Sequence, residues 1–153
     1  MDRYQPPNAF LRTLINDDAP LTGDEADSNR RRLMMLMRDE DVANRDWATL
    51  LLAQQDLDTD EVRQALLAAA DDENKYVRAE AILGLAQRDK ALALPLIQRE
   101  LRHERIAVPL FEAATLVADS SLVDDLRDFT APSDDALLDE LAANVLSACE
   151  AGA

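Results

Sequence analysis

The feature that most constrains this chain is a helical unit recurring every 30 to 33 residues, clearest over 71–101 (DDENKYVRAEAILGLAQRDKALALPLIQREL). Asp41–Ala53 lies over Asn74–Ala86 at an offset of 33, so that Arg45 meets Arg78, Ala48 meets Ala81 and Ala53 meets Ala86. A step of 32 then places Glu80-Ala81 on Glu112-Ala113 and Ala86 on Ala118, and a weaker step of 30 places Ala113 on Ala143 and Ala118 on Ala148. A period of this length belongs to stacked helix pairs, in which each unit buries its apolar face only against its neighbours. The matched alanines have a physical reason: two helices approach closely only where a side chain is short. Gly84, costly inside a helix, fits the same need for close packing.

Composition agrees with an all-α protein. Apolar residues make up 48% of the 153, enough for a core, while there are only three glycines and 4% aromatics. No stretch alternates with a period of two for long enough to form a strand. The breaks within each helix pair fall at 56–58, 88–89 and 119–120, with Thr59, Asp89 and Ser120 or Ser121 as expected N-caps. Second helices are expected at 60–70, 90–101 and 122–129, with Pro95 in an early turn or at a bend of its helix. Before the repeats, 8–16 reads as a short amphipathic helix presenting Phe10, Leu14 and Ile15. Residues 23–38 read as a helix burying Leu33, Met34, Met37 and Leu36. A terminal helix over 134–149 should bury Leu137 or Leu138, Leu141, Val145 and Leu146. This gives an N-terminal arm over 1–21 and one repeat domain over 22–153.

Within 71–101 the match becomes specific. Val77-Arg78-Ala79-Glu80-Ala81-Ile82-Leu83-Gly84-Leu85 resembles the "VRxxAAxALG" first helix of HEAT repeats in their short bacterial PBS-lyase or E-Z form. Leu94-Pro95-Leu96-Ile97, followed by Leu101, resembles the "VPxLxxxL" second helix of that family. The resemblance extends more loosely to 39–70 and 102–131, fades over 132–153, and stops before about residue 22. Asn44 departs from it where Val77 stands, and Pro109 and Leu110 stand where Val77 and Arg78 do, interrupting any ladder of arginines. The resemblance implies an α-solenoid of about three to four helix pairs, with second helices on the concave face. The family includes protein-binding scaffolds, bilin lyases and, more distantly, DNA glycosylases, so fold membership selects no single activity.

Charge narrows the choice. Asp and Glu total 31 against 16 Lys and Arg, a formal charge of −15. Such a surface repels phosphate backbones and anionic lipid and favours a basic or mixed-charge protein partner. The acid concentrates in 119–153, where nine acids face Arg127 alone. A single cysteine, Cys149, implies no disulfide, and no run reaches the length of a membrane span, so a cytoplasmic location is expected.

Other constellations have structural readings. Arg45 and Arg78 are expected to pair with acidic turn residues of a neighbouring repeat. Asp71-Asp72-Glu73 and Asp134-Asp135 lack the spacing of a calcium loop and fit helix starts. Arg30-Arg31-Arg32 spreads around a helix rather than forming a patch. His103 reads as an exposed turn residue and Cys149 as a buried thiol. Trp47 occupies a position that is polar in the other repeats, so it is either covered by the N-terminal helix or an exposed anchor. No catalytic residue, metal or cofactor is expected. The expected function is a non-catalytic binding module, with Gln64, Gln98, Arg99, Asp124, Asp128 and Trp47 as candidate contacts. A bilin-lyase or tetrapyrrole-chaperone role is the alternative that the resemblance leaves, with DNA binding a third.

Overall fold

The computed structural model describes residues 5–16, 26–103, 106–129, 131 and 133–152. Among these residues every regular element is helical. They form α1 (Ala9–Ile15), α2 (Ala26–Leu36), α3 (Val42–Ala53), α4 (Asp60–Ala69), α5 (Lys75–Arg88), α6 (Lys90–Leu101), α7 (Val108–Val117), a 3-10 turn (Ser120–Leu122), α8 (Val123–Arg127) and α9 (Ala136–Ala151). The chain divides into two compact units, 1–81 and 82–153, with the division falling inside α5.

In the first unit α3 is the hub, packed by α1, α2 and α4. Its core is built from Phe10, Leu11 and Leu14 of α1, Leu33 of α2, Ala48 and Leu52 of α3, and Val62 and Leu66 of α4, all buried. Each leucine of this kind contributes roughly 2 kcal/mol by leaving water. Leu11 takes the buried place expected of Ile15, which is half-exposed. Leu33 and Met37 are buried as expected, while Met34 and Leu36 are only partly so.

The turns entering α3 and α5 repeat bond for bond at an offset of 33. The amides of Ala43 and Asn44 donate to Asp41 Oδ1 at 2.8 and 3.4 Å, and those of Tyr76 and Val77 donate to Asn74 Oδ1 at 2.9 and 3.2 Å. The Asp41 amide donates to the Asp39 carboxylate at 3.1 Å, as the Asn74 amide does to Asp72 at 2.9 Å. Arg45 Nη1 then donates to the carbonyls of Asp39 and Glu40 at 3.0 and 3.1 Å, and Arg78 Nη1 to those of Asp72 and Glu73 at 2.9 and 3.1 Å. Each turn thus satisfies its free amides and carbonyls with the same residue types. Asn74, rather than the acids before it, caps α5.

Asn44 accounts for its departure from the repeat pattern. It is buried, its Oδ1 accepts from the Asn8 amide at 3.0 Å, and its Nδ2 donates to Asp39 at 2.9 Å. Asn8 in turn caps α1 through the amides of Phe10 and Leu11. A valine at 44 could do neither. The three consecutive arginines also separate as expected: Arg30 pairs with Asp27, and the Arg32 guanidinium lies 4.3 Å from the centre of the Phe10 ring.

In the second unit α7 packs against α6 and α9, and α9 also packs against the 3-10 turn and α8. Phe111, Leu110, Ile97, Leu122, Leu126 and Val145 form the core, with Phe111 edge-on to Phe129 at 5.9 Å. Thr59 and Asp89 cap α4 and α6 as expected. The third cap is Asp119, whose side chain accepts from the Ser121 amide, so the serines expected there lie inside the 3-10 turn. That turn shortens the following α-helix to 123–127. Pro95 sits in the second turn of α6, exposed, and α6 continues through it.

The weakest repeat step does not hold. Ala48, Ala81 and Ala113 are all fully buried, but Ala143 is exposed and Ala142 takes the buried position. The buried line of α9 is Ala142, Val145 and Cys149, with Leu138, Leu141 and Leu146 half-exposed and Leu137 65% exposed. Ala118 departs as well. It ends α7 in the left-handed region, with φ of 48°, instead of packing between helices.

Candidate functional site

A cleft of about 990 Å³ lies within the first unit. One wall is a single face of α4, Glu61, Gln64, Ala65, Ala68 and Ala69, at the i, i+3, i+4, i+7 and i+8 spacing of one helix side; Asp72 and Glu73 continue it. Most of the rest of the lining comes from Met34 and Met35 at the end of α2 and from Met37 and Arg38 in the turn that follows it. Asp39 and Arg45 complete the lining. The alanines keep the α4 wall low, and Met35 stands 74% exposed. The chain has four methionines, and three of them line this cleft.

Arg45 and Asp72 form a fixed pair in this lining, each side chain only 11% exposed. Arg45 Nε donates to Asp72 Oδ2 at 2.9 Å and Nη2 to Oδ1 at 3.4 Å, while Nη1 holds the two carbonyls described above. Nη2 also lies 3.6 Å from Glu73 Oε1. Arg45 therefore pairs with the acidic turn at 71–74, as its repetition suggested, and its donors are already engaged. The Asn44 amide, then the Asp41 backbone and the Arg45 charge, hold the Asp39 carboxyl below its ordinary pKa. With Arg45 spoken for, Glu61, Glu73 and Asp39 outweigh Arg38, and the rim is acidic.

Of the six residues expected from the sequence, Gln64 lies in this cleft. Trp47 is half-buried on α3 with its indole Nε1 out of solvent, which does not suit an exposed anchor. The other four belong to the second unit. Gln98 Nε2 donates to Ser121 Oγ at 3.0 Å, and Arg99 Nε to the buried Glu100 at 3.2 Å. Asp124 pairs with Arg127 at 3.0 Å on the surface, and Asp128 is exposed at the end of α8. Met35, Glu61 and Ala68 were not singled out from sequence, and Glu73 was read only as part of an acidic helix start. The signal was there in the Met-Met-Leu-Met run at 34–37 and the alanines of α4, which read equally well as core.

Among the described residues no group of three or more His, Cys, Asp or Glu is placed to hold a metal ion. His103 is mostly exposed, its Nε2 3.7 Å from Glu100. The Cys149 thiol is buried against the Ala114 carbonyl at 3.8 Å, and burial, then the Asp119 charge, push its pKa up, so it is held as an unreactive thiol. No described helix is long and apolar enough to cross a membrane.

The described residues thus define an all-helical protein with an open cleft on one unit. No family model matches the chain. It is similar to protein YibA of Escherichia coli K12 and of Escherichia coli O157:H7, 28% identical to each over 115 residues. That match covers 75% of this chain and 38% of the relative, so the chain spans well under half the length of the curated relatives it matches. An X-ray structure of Escherichia coli YibA is similar in fold, with a TM-score of 0.61 at 25% identity, over 78% of this chain and 43% of that one.

Proposed function

We propose that this chain is an α-solenoid of about three and a half HEAT-like repeats serving, in the cytoplasm, as a non-catalytic protein-interaction module for a basic or mixed-charge partner. The observation that carries the reading is the open cleft, lined by methionine and alanine and rimmed with acid. Apolar lining with a charged rim is the make-up of a protein-binding surface, and flexible thioethers suit a contact that must adapt to its partner. The bond-for-bond recurrence of the turns at 39–45 and 72–78 supports the repeat assignment, since stacked units need the same polar groups satisfied at each step. The surplus of acid supports a basic partner by steering encounter.

The test is reconstitution. Tagged protein is used to recover a partner from nuclease-treated lysate, and the complex is rebuilt from purified components. A defined stoichiometry, release by moderate salt, and weaker affinity on reversing the rim acids Glu61 and Glu73 to lysine are expected. A purified pair that fails to re-form the complex refutes the module. A complex indifferent to salt and to charge reversal refutes the basic partner.

A further inference from the structure

We infer that the cleft between α2 and α4 is a docking groove for a basic, amphipathic α-helix supplied by the partner protein; this rests on the interaction-module reading above. The α4 wall is a straight strip of small side chains, Ala65 and Ala68 between Glu61 at one end and Glu73 at the other. Opposite it Met34 and Met35 supply deformable apolar volume, with Met35 74% exposed. A low wall facing a flexible apolar one receives a row of aliphatic side chains at i, i+3 or i+4, and i+7 from a helix laid along it. A strand would need an unpaired sheet edge to bond to, and the cleft walls are helices, whose backbone groups are bonded internally.

Charge selects among amphipathic helices. The Glu73 side chain is 89% exposed at one end of the strip and Glu61 is exposed at the other. The Arg45 guanidinium in the lining is held by Asp72 and two carbonyls and lies 3.6 Å from Glu73, so that Glu61, Asp39 and the outer face of the exposed Glu73 outweigh Arg38 at the rim. Lysine or arginine flanking the apolar stripe of an incoming helix would meet Glu61 and Glu73, whereas an acidic helix would be repelled. Met35, otherwise an apolar side chain left in water, gains a cover.

The probe is a synthetic helical peptide with leucine at the stripe positions and lysine elsewhere, compared with a scrambled peptide of the same composition and one carrying glutamate for lysine. Protein labelled with 13C at its methionine methyls reports directly, because three of its four methionines line the groove. The lysine peptide should bind with a Kd of about 10 µM and shift three methyl signals. Ala68→Arg, an exposed helical position that should leave folding intact by circular dichroism, should weaken binding about tenfold or more by filling the groove. Glu61→Lys with Glu73→Lys should weaken it about tenfold at low salt and much less at high salt. Equal binding of the glutamate peptide, unchanged affinity in Ala68→Arg, or methyl shifts that track protein concentration instead of peptide would overturn the assignment. A reconstituted partner complex that survives Ala68→Arg would sink the groove alone and leave the interaction module standing elsewhere on the molecule.

Discussion

Ala118 holds a backbone conformation that alanine adopts reluctantly. Its φ of 48° is the sole positive value outside glycine among the described residues, and it closes α7 where glycine is the usual helix terminator. Ala118→Gly should therefore raise stability by about 1 kcal/mol, less the entropy glycine adds to the unfolded chain, as read from urea midpoints at constant m-value. Gly152 is constrained from the opposite direction: a Cβ on it would fall 1.8 Å from the Ala118 carbonyl oxygen, so its need is for space rather than for an unusual φ. Neither was visible in the sequence, where Ala118 aligned with the buried Ala86 and read as another packing alanine. Asn44 shows the same gap between pattern and cause. Its mismatch with the repeat was plain, but of the two hydrogen bonds that justify it, the one from the Asn8 amide comes from a segment 36 residues away, and only that to Asp39 is local.

At the scale of elements, the Arg45–Asp72 pair joins α3 to the turn that begins α5. Removing one member of a nearly buried ion pair strands the other charge, so Asp72→Ala should cost about 3 kcal/mol. Asp72 also caps the Asn74 amide, and part of that loss belongs to the turn. Arg45→Ala combined with Asp72→Ala should lose clearly less than the sum of the two single variants; additive losses in the thermal or urea midpoints would contradict the coupling. Element positions were largely legible. Most helices follow the expected spans because side-chain period, caps and small residues all pointed to the same boundaries. The register of α9 was not, since Ala142 and Ala143 are adjacent and the fading repeat favoured the wrong one. Its true buried line runs through Cys149, a residue type commonly interior that carries little weight in a leucine-based pattern. The cleft was legible only as composition, because a methionine stripe reads as core until the opposing wall proves too low to cover it.

Over the whole molecule the excess of acid makes stability depend on pH in a direction that can be worked out. Asp39, Asp119 and Asp139 are held below the ordinary 3.8, by hydrogen bonds from Asn44, Ser121 and Ser133 respectively. Groups depressed in the folded state add stability above the unfolded value, and that contribution is lost as pH falls through the folded one. Asp46, raised by burial, runs the other way and gains on acidification. The three should outweigh the one, so urea midpoints should fall as pH drops below about 4. Asp119→Asn keeps a capping oxygen but removes a titration, and should match the parent at pH 7 while losing less at pH 3. A midpoint that rises steadily with acid would contradict this. The recurring turn carries a different kind of consequence. The stretch from Glu40 to Asp72 contains an arginine together with the carboxylate that clamps it, and its last residue lends a backbone carbonyl to Arg78 of the stretch that follows. A tandem copy of those residues would bring its own charge partner and its own cap, and would take one of its two carbonyl acceptors from the residue just before it, as Arg45 does from Asp39 and Arg78 from Asp72. The chain is therefore built to grow or shrink by whole modules, as a gene duplication would deliver them, without stranding a charge at the seam.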